Sequence, residues 1–211
     1  MLLAEKVCLI TGGGSGIGEA TAKLFASEGA FVIITDVDEK AANGVVSEIG
    51  PKAKFINCDV TQEKQVHDTI KKIVEIYDRL DCAVNNAGIT GTPSNIEHTT
   101  LENLSNVIAV NLTGVFLCLK HEITQMIKQG SGSIVNVSSG AGLIAVPSMA
   151  AYCASKHALL GLTKTAATEN LLRGIRVNSV LPGSTKTPLL DQALNMSEGM
   201  EEIILNSIPS G

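Results

Sequence analysis

Six short runs rich in apolar and β-branched residues punctuate the chain: KVCLIT (6–11), FVIITD (31–36), AKFINC (53–58), LDCAVNN (80–86), GSIVNVSS (132–139) and IRVNSVLP (175–182). Each has strand length. They show little of the apolar–polar alternation of a half-exposed strand, so both faces are expected to be buried. The segments between them follow a helical period. GIGEATAKLFASEG places Ala20, Leu24 and Phe25 on one face and stops at Gly29. DEKAANGVVSEIG begins at Asp38, a good N-cap residue, and stops at Gly50. QEKQVHDTIKKIVEIYDR lines up Val66, Ile70, Ile73, Val74 and Tyr77. Strand and helix alternate, which predicts an α/β fold with a doubly wound parallel sheet between two helical layers.

The longest apolar run, VIAVNLTGVFLCLK (107–120), is interrupted by Asn111 and Thr113. It reads as too short to span a bilayer, so no membrane partner is expected. The 211 residues suit one domain, 1–211, and 45% hydrophobic content supplies a sizeable core. Aromatic residues make up only 3%, so that core must be aliphatic. The net charge of −5, with scattered basic residues, gives no footprint for nucleic acid. Five cysteines, at 8, 58, 82, 118 and 153, form no CxxC and no ligand cluster with histidine. They predict buried thiols in a reducing, cytoplasmic setting and no metal. The start, MLLAEKVCLIT, runs straight into a strand and is too short for a signal peptide.

The first strand leads into a glycine-dense turn, TGGGSGIG, and then into a helix. Glycines let a backbone approach a phosphate closely, and free N–H groups at a helix start point toward it. Asp36 closes the second strand, eighteen residues after Gly18. A carboxylate there can accept from both hydroxyls of an adenosine ribose and would repel a 2′-phosphate. This favours NAD over NADP. The alternative is that Asp36 merely opens the next turn.

Tyr152 and Lys156 lie four apart in an apolar helical stretch, AAYCASKHALLGLTK, and so share a face. A tyrosine acting as a base near neutral pH must lose about 3 pKa units, or ~4 kcal/mol. One cation about 4 Å away supplies roughly that at an effective dielectric of ~20. Lys156 is therefore expected to lower the pKa of Tyr152. Ser139 precedes Tyr152 by thirteen residues, at the end of a strand. Ser138 should face the other way, and His157 should turn away from Tyr152.

Thr11-Gly12-x-x-x-Gly16-x-Gly18, NNAG at 85–88, Asn111 in AVNLTGVF, Ser139 and YxxxK together resemble the short-chain dehydrogenase/reductase family over most of the chain. The resemblance implies a Rossmann-like fold and a dinucleotide held by Gly12, Ser15, Gly16, Ile17 and Gly18, with Asp36 on the ribose. It places Asp59 and Val60 around the adenine, although Asp59 could equally cap the next helix. Asn86, Ala87 and Gly88 would pack beside the cofactor. Pro182, Gly183, Thr185 and Thr187 would lie near the nicotinamide and pyrophosphate. Tyr152 would be the general acid/base. Lys156 would tune it and bind ribose, and Ser139 would hold the substrate oxygen. Asn111 would kink its helix and hold a water, or simply satisfy backbone groups.

The resemblance implies an NAD-dependent oxidoreductase acting on a secondary alcohol or ketone, working as a homodimer or homotetramer. A 3-oxoacyl-thioester reductase and an inactive dinucleotide-binding sensor are the alternatives. Family members continue past the point where this sequence stops, so a final parallel strand is expected to be missing from it. Residues 189–208 fall where the family keeps a substrate lid, though they also suit a plain surface helix.

Overall fold

The computed structural model describes residues 1–196. Its strands are β1 (Val7–Thr11), β2 (Phe31–Asp36), β3 (Ala53–Asn57), β4 (Cys82–Asn85), β5 (Gly132–Val137) and β6 (Ile175–Val180). They form one sheet in the order β3-β2-β1-β4-β5-β6, with every pairing parallel. All six predicted runs become strands. The chain winds outward from β1 to β3 and then returns to place β4 on the other side of β1. A crevice therefore opens at the carboxyl ends of β1 and β4, where the winding reverses.

The helices are α1 (Gly16–Ser27), α2 (Glu39–Ile49), α3 (Glu63–Tyr77), α4 (Leu101–Ile108), α5 (Val115–Gln129), α6 (Ala150–Asn170) and α7 (Pro188–Met196). Local sequence sets their ends. The Asp38 side chain accepts from the Ala41 N–H at 3.0 Å and caps α2. Thr100 does the same for α4 through the Asn103 N–H at 3.1 Å. Gly130, at φ +71°, stops α5.

Two apolar layers flank the sheet, and β1 feeds both. Val7 and Leu9 face α3, α5 and α6, where Ile70, Ile73, Leu119, Met126 and Leu159 pack. Cys8 and Ile10 face α1 and α2, with Ala22, Ala42 and Val45. The absence of alternation in the central strands follows from this double coverage. At the edge strand β6 the alternation returns, with Ile175 and Val177 buried and Arg176 and Asn178 exposed.

One expectation is modified, and another falls largely outside the described residues. The apolar run judged too short to span a bilayer belongs to a continuous 29-residue helix, Leu101–Gln129, which is long and apolar enough by length and composition. Asn111 and Thr113 interrupt the apolar run but not the helix, because a π turn, Ala109–Gly114, carries it through the polar residues. Val115, Leu119 and Met126 of that helix pack into the core against the sheet. Of the segment 189–208, the described part is the body of α7, and residues 197–208 lie outside the described residues.

Leu159 is fully buried at the centre of the larger layer. Leu159→Ala is expected to cost about 3 kcal/mol through lost burial and a residual cavity. Urea unfolding should show a lowered midpoint with an unchanged slope, and a loss below ~1 kcal/mol would mean that the layer collapses around the gap.

Candidate active site

The crevice is built by close approach of two loops. The Thr11 hydroxyl, at the end of β1, accepts from the backbone N–H groups of Asn86 at 3.0 Å and Ala87 at 3.1 Å. In return the Asn86 Nδ2 donates to the carbonyls of Thr11 at 3.1 Å and Gly12 at 2.8 Å. Nothing larger than hydrogen fits between them. A Cβ at Gly18 would sit 2.1 Å from the Gly12 carbonyl oxygen, and one at Gly12 would sit 2.8 Å from the Ala87 Cα. Gly12 also needs φ +63°, a conformation that side chains resist.

The resulting groove has a volume of about 340 Å³. Among the residues expected to bind a dinucleotide, Gly12, Ser15, Gly16, Ile17, Asp36, Asp59, Val60, Asn86, Ala87, Gly88 and Thr187 line it. Gly18, Tyr152, Lys156, Pro182, Gly183 and Thr185 do not. Gly18 lies beneath the turn as packing, because its missing side chain makes room for Gly12 and Asn86. Pro182 presents its carbonyl to the Gly140 N–H at 2.9 Å and so steadies the loop after Ser139. Thr185 is exposed and bonds back to the Gly183 carbonyl.

Asp36 accepts from the Gly14 N–H at 2.9 Å and the Asp38 N–H at 3.0 Å, so it both shapes the glycine turn and lines the groove. Asp59 likewise does two things: it accepts from the backbone and hydroxyl of Thr61 and lines the groove. Val37, Cys58, Ile89, Val110 and Pro188 also line the groove and were not anticipated, whereas Leu189 and Gln192 fall in the expected lid segment. Most of them adjoin a predicted residue, which is the signal that could have found them. The set fits a dinucleotide: a glycine edge at a helix start suits a pyrophosphate, Asp36 a ribose diol, and Val60 an aromatic ring.

Ser139, Tyr152 and Lys156 come together beyond β5. Ser139 caps the short turn at 140–142 by accepting from the Ala141 N–H at 3.2 Å. Ser138 points the other way, buried, and donates to the Lys156 carbonyl at 3.0 Å. Lys156 is only 4% exposed, donates to the Val137 carbonyl at 2.9 Å and lies 5.6 Å from the centre of the Tyr152 ring. A Cβ added to Gly88 would lie 3.6 Å from its Nζ and 3.3 Å from Oδ1 of Asn111. The groove wall and the lysine therefore adjoin.

The expected tuning of Tyr152 is not what the chain's own groups produce. Burial pushes its pKa above the usual tyrosine value, and only Ser139 acts in the opposite direction. Burial also drives Lys156 down to about 8. The arithmetic assumed an ammonium about 4 Å from the phenol oxygen. Here the ammonium spends a hydrogen on the Val137 carbonyl, and the low-dielectric surroundings penalise the phenolate first.

Asn111 is fully buried in the π turn. Its Oδ1 accepts from the Ile89 N–H at 2.8 Å, and its Nδ2 donates to the Ile89 carbonyl at 2.8 Å and to Ser155 Oγ at 3.1 Å. The irregularity at Asn111 is a π turn, and the amide is committed to backbone and side-chain partners. His157 is exposed and bonds within its own helix at the Cys153 carbonyl. Sequence reasoning missed a buried polar chain beneath the site, Glu122–Asn85–Asn136–Thr163, because each member looked like an isolated core substitution.

Comparison with known proteins agrees with this geometry. The short chain dehydrogenase family matches residues 6–198. The chain is 41% identical over 207 residues to a 2,5-dichloro-2,5-cyclohexadiene-1,4-diol dehydrogenase of Sphingobium indicum, covering 98% of this chain and 82% of that protein. It superimposes with a TM-score of 0.87 and 36% identity on a 3-ketoacyl-(acyl-carrier-protein) reductase from Brucella melitensis complexed with NADH, covering 90% and 79% of the two chains. An NAD+-bound xylitol dehydrogenase gives 0.85 and 38%, covering 87% and 72%. By motif, by fold and by these likenesses, the chain belongs to the short chain dehydrogenase family.

Proposed function

We propose that the protein is an NAD-dependent oxidoreductase interconverting a secondary alcohol and a ketone. The observation that carries this reading is the abutment of Lys156 on Gly88, a residue of the groove wall, with the Tyr152 ring 5.6 Å from the same amine. The likeness to an alicyclic diol dehydrogenase and to structures holding NADH or NAD+ supports it. Among the described groove residues none is Lys or Arg, and Asp36 stands where a 2′-phosphate would sit, which supports NAD over NADP.

In this reading NAD, when bound, supplies the hydride acceptor and a positive charge beside the phenol. Ser139 donates to the substrate oxygen and steadies the charge that develops there. Tyr152 takes the hydroxyl proton as the hydride leaves the same carbon. Lys156, anchored on the Val137 carbonyl, would hold ribose hydroxyls when NAD is bound. Asn111 fixes the Ile89 backbone beside the groove. Exposed Phe116 on α5, with Leu171 and Leu172 after α6, supports a homodimer or homotetramer, and five free thiols support a reducing compartment. The same site run toward reduction of a 3-oxoacyl thioester is the second reading. It is favoured by the likeness to a 3-ketoacyl-(acyl-carrier-protein) reductase complexed with NADH, a cofactor compatible with a carboxylate at Asp36.

Tyr152→Phe should lower NADH formation from a panel of secondary alcohols by about 10³-fold while NAD affinity stays within about threefold. Substantial residual turnover would assign proton transfer to another group. Asp36→Ala should weaken NAD by about tenfold and leave NADP unchanged or tighter, as isothermal titration would show. An unaltered NAD/NADP ratio would count against the ribose role.

Lys156→Met should abolish turnover yet stabilise the fold. A lysine held at about 8 costs stability at neutral pH, because the unfolded chain binds its proton more tightly. That cost fades as pH rises from about 8 toward about 10.5, the ordinary lysine value. Allowing for the lost bond to Val137, the gain near pH 7 is about 2 kcal/mol. It should shrink at alkaline pH in denaturant titrations, and a pH-independent difference would overturn the argument.

A further inference from the structure

The proposed reaction leaves one buried acid without a task. Glu122 of α5 is wholly buried, and its Oε2 accepts from Nδ2 of Asn85, at the end of β4, at 3.0 Å. The same Nδ2 donates to Oδ1 of Asn136 on β5 at 3.0 Å. Asn136 in turn donates from Nδ2 to the Thr163 hydroxyl on α6 at 2.9 Å, and Thr163 donates to the Leu159 carbonyl at 2.8 Å.

The direction of this relay is fixed from the α6 end. The Leu159 carbonyl can only accept, and a hydroxyl has a single hydrogen. Thr163 must therefore accept from Asn136, which turns Oδ1 of Asn136 toward Asn85, and Asn85 must answer with Nδ2. Both Nδ2 hydrogens are then used. Two buried acceptors remain with no donor, Asn85 Oδ1 and Glu122 Oε1. Buried acceptors are rarely left in that state. One hydrogen on Glu122 would serve both.

We propose that Glu122 is a neutral carboxylic acid paired with the Asn85 carboxamide in a two-bond ring, Nδ2–H to Oε2 and Oε1–H to Oδ1, and that this pair positions the elements that carry the active site. β4 runs directly into Asn86–Gly88, β5 into Ser139, and α6 carries Thr163 seven residues beyond Lys156, two turns away on one face. Glu122 touches none of the reacting groups and is a positioning residue. Burial pushes its carboxyl up to about 7, with the Asn85 amide acting the other way. The neighbours that β4, β5 and α6 supply, Asn85, Asn136 and Thr163, do not titrate. Cys118, one turn earlier on α5, is itself raised by burial and stays neutral. The positioning half of the proposal rests on the oxidoreductase reading above, whereas the protonation half does not.

Infrared spectroscopy of the full chain, compared with Glu122→Gln and Glu122→Met, tests both halves. Gln can reproduce the ring as an amide–amide pair, and Met matches the volume but offers neither bond. At about pH 6 the unsubstituted protein should show a protonated-carboxyl carbonyl band that Glu122→Gln lacks. Glu122→Gln should keep kcat within about twofold and an undiminished urea midpoint, while Glu122→Met should lose about tenfold in kcat and unfold earlier. No such band, or a Gln variant as impaired as Met, would overturn the neutral acid. The band together with full activity in Glu122→Met would overturn the positioning role. Should Met prevent folding, the band and the Gln variant decide. If the unsubstituted protein turns over no alcohol or ketone, the functional reading fails while the band still reports the acid.

Discussion

Two loops can share the space between β1 and β4 only because one of them has no side chains there, and the groove depends on that contact. The Gly12 carbonyl, the Asn86 amide and the Gly18 Cα occupy a volume that a single methyl group would overfill. The Thr11 hydroxyl accepts two N–H groups from the opposite loop and so removes two donors that would otherwise be buried without partners. The turn is therefore held by internal hydrogen bonds while the first N–H groups of α1 stay free to face a ligand. Shape and electrostatics at this point have a common origin.

Beyond β5 the constraint is dielectric. The chain's own surroundings move Tyr152 and Lys156 toward their neutral forms, the phenol up and the amine down to about 8. An amine that would be charged in water and a phenol that already resists ionisation are thus both pushed further toward neutrality. In the proposed reaction the positive charge of an oxidised cofactor and the polar substrate tip that balance, and proton transfer is coupled to their arrival. The hydrogen bond from Lys156 to Val137 keeps the amine within the wall shared with Gly88. The site is poised rather than charged in advance.

The strands and their parallel arrangement were legible because a doubly covered sheet demands unbroken aliphatic runs, and few other structures do. The glycine turn was legible for a related reason: close approach leaves glycine as the only residue that fits. The role of Gly18 was misread as contact with the ligand, since sequence spacing does not distinguish a glycine that faces a groove from one that lies under it. The direction of the Tyr152 shift was misread because helical spacing fixes where two side chains start and not where their charged ends finish. Lys156 reaches Val137, a partner nineteen residues away in sequence that no local pattern reveals. Asn111 was expected to act either on water or on backbone, and its amide is committed to Ile89 and Ser155.

The strands also share a gradient that explains where chemistry can sit. β1 reads apolar until Thr11, β4 until Asn85, and β5 carries Asn136 shortly before Ser138 and Ser139. In the central strands β1, β2 and β4 polar side chains enter only at the carboxyl end, where loops and helix backbones can pair with them. Thr11 meets Asn86, Asn85 meets Glu122 and Asn136, and Ser138 meets the Lys156 carbonyl. Each of these bonds joins two elements that are distant in sequence, so the edge is rigid for the same reason that it is polar. An apolar edge would leave the catalytic loops to find their positions by packing alone, which tolerates shifts that proton and hydride transfer do not. On the reading proposed above, the buried polar layer trades hydrophobic stability for registry between the loops that would hold a cofactor and the helix that carries the tyrosine.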